Sequence, residues 1–411
     1  MALSVSKCLN YGVRQMSGGV KGVRYSVKNI NKYIQTDTTN YGIPYPVINT
    51  TSKSFSNKPS DKTSYGKSVS EKSHDSYLKH KFNIFDISNR NRLIVSGKDS
   101  KEYLDLLTSC DVRILEPGKS RKTVCMERNG NLIGLGIVNR FENFYSLIMD
   151  GGESEKLVEH FNENKVGFDI SLSTNIVEDM YLVKGPGSAK ILNSIKNILY
   201  GNKNDTRNVE DIPYQTNKHF VNQLVPNNTF SVVNTPQGYI VALNKLVVDN
   251  LFKNLEIELS SDEVYETNRI ESGQPDFQKD LSNNINPVEA NLHSHFAKNY
   301  KYSKRGILGN DFYGKRTILN EVGLFKRFSR TRVMMYSCDK GLIPPENSNI
   351  YVDGLKVGHV TSSTSSSYLK CIVAMGYINL EKTFDTRSFS LAREIIKKVT
   401  INGNSYFISF L

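Results

Sequence analysis

Hydrophobic and polar positions fall into a regular pattern only from about residue 77 onward. Residues 82–97 alternate, with Phe85, Ile87, Leu93 and Val95 as the apolar beats, which predicts a strand. Ser100 then opens a short helix with Tyr103, Leu104 and Leu107 on one face. Residues 123–126, 132–138 and 144–149 are strand-like and are separated by turn signals at Asn129-Gly130 and Glu142-Asn143. Asn-Gly between apolar runs favours a tight hairpin, because both residues tolerate the left-handed backbone that such a turn needs. Residues 181–184, a Gly-Pro-Gly turn and residues 188–200 read as strand, turn and helix; 230–233 and 239–243 read as a second hairpin; 246–255 reads as a helix. After about residue 323 strands dominate, at 332–336, 350–352, 355–360, 368–377, 395–401 and 405–410, with a hairpin turn at Asp353-Gly354. The pattern predicts a β-rich α+β chain whose last segment is a separate small β domain.

The first 76 residues lack this pattern. The stretch 49–75 is rich in Ser and Lys, with Phe55 and Tyr65 its only bulky apolar residues. It buries too little surface to offset chain entropy, so residues 37–76 are expected to be mostly disordered. Across the whole chain hydrophobic residues are 38%, below the usual 45–50% or so. The 22 Tyr and 19 Phe still supply a real core. No apolar run reaches the length of a membrane span. The five cysteines are scattered, with neither a disulfide framework nor zinc spacing.

Net charge is +12, and Lys7, Arg14, Lys21, Arg24, Lys28 and Lys32 supply half of it before the first acidic residue, Asp37. A basic, Ser-containing, acid-free start without a continuous apolar core has the composition of a mitochondrial transit peptide. Residues 1–36 are therefore expected to be a leader and the mature protein to reside in the mitochondrial matrix. The remaining charge is dispersed, and no nucleic-acid-binding motif accompanies it, so no nucleic-acid partner is expected.

Several residues carry candidate chemistry. Arg269, after a helical stretch and before Gly273, suits a bidentate acceptor or a surface ion pair. Glu289 could cap a helix through residues 290–292. His293 and His295 share a side only on a strand and lack a third ligand nearby, so no metal site is expected. Residues 362–367 read as a polar turn with no partner pattern for a nucleophilic serine.

Three segments together resemble the glycine cleavage T-protein, the aminomethyltransferase family. Phe85-Asp86-Ile87-Ser88 is similar to the family's Phe-Asp-Val-Ser. Arg269-Ile270-Glu271-Ser272-Gly273, Pro287-Val288-Glu289-Ala290-Asn291-Leu292 and Asp311-Phe312-Tyr313-Gly314-Lys315 follow the family's order and spacing. Gly358-His359-Val360-Thr361-Ser362-Ser363 and Ala374-Met375-Gly376-Tyr377 resemble strands of its terminal barrel. The resemblance implies a three-domain body around a central folate channel (residues 77–322, two interleaved α+β subdomains) and a C-terminal β-barrel or jelly-roll domain at 323–411. It also implies an activity: moving an aminomethyl carbon from the lipoyl arm of H-protein to tetrahydrofolate, with release of ammonia and no need for a metal or pyridoxal phosphate. Arg269 and Asp150 are the folate-binding residues that it carries over.

The departures fall at the site. The family's paired aspartates match Gly134 and Leu135, so the place of the catalytic acid is taken by Leu135. No Asp or Glu occurs from 129 to 141, so a slipped alignment does not restore it. Asp150 and Glu142 are the candidate substitutes. The family's pocket tyrosine and glutamate match Val233 and Ile240. Two other readings follow: a catalytically dead module that holds folate or docks H-protein, and a folate-dependent iron–sulfur assembly relative. The turn at 310–316 has none of that branch's cysteine, which favours the T-protein branch.

A reporter fused to residues 1–36 should localise to mitochondria and lose the segment; a cytosolic signal would overturn the leader assignment.

Overall fold

Two five-stranded sheets and one closed barrel account for most of the strand pattern. The structure, a computed structural model, describes residues 82–379 and 398–410 apart from 152–153, 175–176, 201–207, 222–228, 282–284, 297–301, 304–305, 308–311, 317, 319–329 and 339–340. The expected leader, the Ser/Lys-rich stretch, Asp311 and the expected domain boundary at 323 lie outside the described residues.

The chain runs β1 (Asn83–Asp86), β2 (Asn91–Ser96), α1 (Ser100–Leu107), β3 (Ser120–Met126), β4 (Leu132–Arg140), β5 (Tyr145–Gly151), α2 (Ser154–Glu163), β6 (Ser171–Thr174), β7 (Glu178–Lys184) and α3 (Ser188–Tyr200). It continues with β8 (Asn217–Val221), β9 (Thr229–Thr235), β10 (Gly238–Asn244), α4 (Lys245–Asn254), α5 (Asp262–Glu271) and α6 (Phe277–Asp280). The two-residue ladder β11 (Tyr302–Ser303) and β12 (Gly306–Ile307) follows. Then come β13 (Arg330–Ser337), β14 (Asn349–Val352), β15 (Leu355–Ser366), β16 (Cys371–Asn379), β17 (Lys398–Ile401) and β18 (Asn404–Phe410).

The first sheet has the order β3-β4-β5-β2-β6, and the second β1-β7-β10-β9-β8. The outer face of the first packs Leu93, Val95, Leu147 and Met149 on Tyr103, Leu104 and Leu107 of α1 and on Leu157 and Phe161 of α2. The outer face of the second packs Val183, Val232, Val241 and Leu243 on Leu192 and Ile195 of α3 and Val248 and Leu251 of α4. Their inner faces meet through Ile148 of β5 and Phe85, Leu182, Val233, Ile240 and Ala242 of the second sheet. The buried ion pair of Arg92 and Glu178 ties β2 to β7. The last six strands close into a barrel, β13-β16-β15-β14-β17-β18, in which β13 pairs with both β16 and β18. Its outer face lays Met334, Val373 and Met375 against Ile270 of α5.

Turn chemistry explains the hairpins. Gly130 has φ +90°, and the Asn129 side chain accepts a hydrogen bond from the amide of Asn131 at 2.9 Å. Asp353 and Gly354 both have positive φ, as a two-residue hairpin turn requires.

Four sequence expectations change. The alternating run 82–97 is two strands in different sheets, because the Asp86 carboxylate accepts from the Ser88 amide at 2.8 Å and turns the chain. Residues 362–366 are strand rather than turn; the Ser362 hydroxyl donates to Asp280 and the Ser366 hydroxyl to Glu271. Residues 290–292 are not helical, and the Glu289 carboxylate accepts from the Asn286 amide at 3.4 Å and from Arg330 Nε at 3.2 Å. Arg269 lies inside the last turn of α5, not after it.

Asp280 joins these parts. It is fully buried and accepts from Arg269 Nη1 at 2.5 Å, the Asp276 amide at 2.8 Å, Ser362 Oγ at 2.8 Å and the Thr361 hydroxyl. Tyr377 Oη donates to its carbonyl at 2.8 Å. Asp280→Ala should therefore lower the unfolding free energy in urea by roughly 3–5 kcal/mol, the usual cost of removing one partner of a buried ion pair. A loss below about 1 kcal/mol would show that this pair does not hold the barrel to the body.

Candidate functional site

Residues directly opposite in antiparallel strands share a face of the sheet. In the first sheet Val124 pairs with Leu135, and Leu135 with Asp150. In the neighbouring row Lys122 pairs with Ile137, Ile137 with Ile148, and Ile148 with Arg92. Both rows lie on the inner face, toward the second sheet. Val124 and Ile148 are buried, but Lys122, Leu135, Ile137 and Asp150 each keep partial exposure. We take the space that these four half-exposed side chains border as the candidate cleft. Its far wall carries Val233 and Ile240 and the half-buried Val264 and Tyr265 of α5.

Asp150 is thus the immediate neighbour of Leu135 across the β4–β5 ladder. At direct cross-strand positions the Cβ atoms lie about 4.5–5.5 Å apart, so a carboxylate at either position reaches nearly the same point. Burial pushes the Asp150 pKa up, Arg90 pulls it down, and Asp276 pushes it further up. No described residue donates a hydrogen bond to this carboxylate. A half-buried acid with a raised pKa and an open acceptor set is a candidate functional group. Arg90 is aimed beside it by a 2.7 Å hydrogen bond to Tyr265 Oη, and Tyr265 is seated edge-on against Phe85 with ring centroids 5.4 Å apart.

Glu142, the other sequence candidate, is not brought here. It is exposed in the turn beyond the Arg140–Tyr145 pair, five ladder positions from Leu135, or roughly 17 Å along the strand. Gly134 also faces away. A Cβ there would meet Leu157 Cδ1 at 3.0 Å and Met149 Cε at 3.2 Å, so an acid in that place would not point into the cleft.

Arg269 is 3% exposed, and all five of its N–H groups are engaged. Nε and Nη2 bond the two oxygens of Glu266 at 3.1 and 2.9 Å. Nη1 bonds the Gln274 carbonyl at 2.9 Å and Asp280 at 2.5 Å, and Nη2 also bonds Ser362 Oγ at 3.0 Å. Burial acts to lower its pKa, but the hydrogen bonds and charges of Glu266 and Asp280 outweigh it and raise the value. In this arrangement no donor is left for a ligand. With its donors engaged this way, Arg269 stands as a strut behind the cleft wall, tying α5 to the barrel strand that carries Ser362.

Val233 and Ile240, the places of the family's tyrosine and glutamate, are direct cross-strand partners, 3% and 1% exposed. Together they form a packed apolar wall. His293 and His295 sit in a 3-10 turn, and the described residues include no cluster of His, Cys, Asp or Glu arranged for a metal. Lys122 was missed by sequence reasoning. Its signal is a lysine two residues before Val124 and four before Met126, on the face those residues bury.

The fold agrees with comparisons to known proteins. The GCVT N-terminal domain model matches residues 52–226, and the glycine cleavage T-protein C-terminal barrel domain model matches residues 330–399. An aminomethyltransferase of Staphylococcus saprophyticus is 24% identical over 325 residues, covering 77% of this chain and 82% of its own. One from Oceanobacillus iheyensis is 26% identical over 319 residues, covering 74% and 80%. The solved structure of glycine cleavage system aminomethyltransferase T from Bartonella henselae superposes with a TM-score of 0.64 at 18% identity, over 82% of this chain and 88% of that one. With both of its domain models, its sequence relatives and its three-part architecture in agreement, the chain belongs to the glycine cleavage T-protein (aminomethyltransferase) family.

Proposed function

We propose that this protein transfers the aminomethyl carbon from lipoylated H-protein to tetrahydrofolate, releasing ammonia, with Asp150 as the carboxylate of the cleft. The Leu135–Asp150 cross-strand pair carries the reading. The acid that the family places on β4 is replaced, within one strand spacing, by an acid on β5 that faces the same space. Tetrahydrofolate lies along Leu135 and Ile137 with its reacting nitrogens toward Asp150. There the carboxylate orients the folate and stabilises positive charge as the carbon leaves the lipoyl sulfur and bonds to nitrogen. Its strength comes from preorganisation: Asp150 is fixed on a strand, partly desolvated and free of internal donors. Arg269 acts as a positioning residue through α5. The acid-free basic segment 1–36 supports a mitochondrial matrix location.

A second reading is favoured by one observation, the apolar Val233–Ile240 pair, which offers a pterin no hydrogen bond. In that reading the protein binds folate or docks H-protein without transfer. Tetrahydrofolate binding with no ammonia release from aminomethyl-loaded H-protein would select it.

In the transfer reading, Asp150→Asn should lower ammonia release by about 100- to 1000-fold, the usual effect of removing one preorganised electrostatic group. Leu135→Asp added to Asp150→Asn should recover part of the loss. Leu135→Asp alone should gain little, because two carboxylates in direct opposition do not both ionise. Unchanged turnover in Asp150→Asn would overturn the assignment.

The same substitution should affect stability in the opposite direction. The folded Asp150 pKa is raised, so its contribution is fully present below the unfolded value of about 4 and is lost as pH rises through the folded value. Asp150→Asn should match the wild type in acid-side melts and become the more stable protein as pH rises toward neutrality. Equal melting temperatures across that range would show that burial of this carboxylate costs nothing.

A further inference from the structure

Two of the cysteines that lie scattered in the sequence are brought together by the barrel. We propose that Cys338 and Cys371 form a redox-active pair that closes to a cross-strand disulfide in the presence of a small-molecule disulfide such as oxidised glutathione. The pair is independent of the transfer reading.

The register of β13 and β16 places them. Its pairs run from Arg330–Asn379 to Ser337–Ile372 without a shift, and the next place puts Cys338 opposite Cys371. Both belong to the row of Met334–Met375 and Tyr336–Val373, on the outer face that rests on Ile270 of α5. Cys338 is exposed, Cys371 is half-buried, and the charge of Cys338 is felt at Cys371.

Backbone hydrogen bonds fix the kind of pair. The Arg332 amide turns away from β16 and bonds the Glu289 carbonyl at 2.9 Å. On the other side of β16, the Val360 amide turns away to the Ser348 carbonyl at 2.9 Å, which leaves its partner Gly376 facing Val333 of β13. Backbone groups alternate sides along a strand, so Arg332, Met334, Tyr336 and Cys338 all stand at non-hydrogen-bonded places opposite β16. Partners at such places have Cα atoms about 4.5 Å apart, within the roughly 4.4–6.8 Å that a disulfide spans.

The two sulfurs take different roles. The exposed Cys338, as thiolate, attacks the glutathione disulfide, which forms a mixed disulfide and releases one glutathione thiol. Burial, then the charges of Cys338 and Glu271, push the Cys371 pKa up to about 11, so Cys371 is the slower nucleophile and resolves the mixed disulfide. It gives up its proton, attacks the Cys338 sulfur and expels the second glutathione. Two protein thiols are oxidised, one glutathione disulfide is reduced to two thiols, and the two protons pass to them. Cys110 and Cys125 are buried and closed to this exchange. The new bond staples β13 to β16 beside Ser366, the other neighbour of Cys371, whose hydroxyl holds Glu271 at the end of α5.

The test incubates the folded full chain with excess oxidised glutathione, quenches it in acid and maps its peptides without reduction. The wild type should give a linked Cys338–Cys371 peptide that dithiothreitol removes. Cys371→Ser should instead retain glutathione on Cys338, and Cys338→Ser should leave Cys371 a free thiol. No linked peptide, one that forms only after unfolding in urea, or Cys338 bridged to another cysteine would overturn the pair. Glutathione uptake at Cys371 in Cys338→Ser equal to that at Cys338 in Cys371→Ser would overturn the assigned roles.

Discussion

Asp280 is fully buried yet charged, and what stabilises it there organises the rest of the molecule. Its partners come from α5, from the turn before α6 and from barrel strand β15. A buried carboxylate held by a buried guanidinium and two hydroxyls tolerates little displacement, since any unmade bond leaves an unsolvated charge. The pair therefore fixes the angle at which α5 crosses the barrel. That angle places Tyr265 against Phe85 and Arg90 beside Asp150. The cleft wall is thus set by an ion pair that does not itself face the cleft.

Inside the cleft, the departures from the family form a consistent group. Three positions that carry polar groups in the family are hydrocarbon here, and two of them touch across β9 and β10. A lone carboxylate at Ile240, packed against Val233, would be buried without a donor, so loss of one partner favours loss of the other. The acid is a different case. In the proposed transfer reading, an acid on β5 in place of one on β4 changes the strand but hardly the place, because antiparallel partners project side by side from one face. Function can then persist while the motif that signals it disappears.

The two ends of the cleft also differ in electrostatic character. Asp150 is an acid whose neighbours include both Arg90 and further carboxylates, so its charge is easily shifted. Lys122, on β3 at the other side, makes no ion pair with any described residue. Such an unbalanced pair of fields orients a dipolar ligand before any specific bond forms.

Much of the architecture was legible in sequence, and for local reasons. Asn129-Gly130 and Asp353-Gly354 state their turns, the period of two states the strands, and Ser188–Tyr200 has the apolar stripe of a helix resting on a sheet. The resemblance also pointed to this hairpin and offered Asp150 and Glu142 as substitute acids. What sequence left open is what depends on pairing. Whether Asp150 or Glu142 shares the cleft with Leu135 is a matter of register, which follows from how β4 and β5 align rather than from either strand alone. Arg269 looked like a ligand-binding fork, because its partners lie up to 93 positions away, on a strand that reads as a polar turn. Lys122 looked like an ordinary strand lysine until the inner face closed over it. Local period and turn chemistry act between neighbours and are written along the chain; the roles of these charges depend on which distant groups reach them, and only the folded packing decides that.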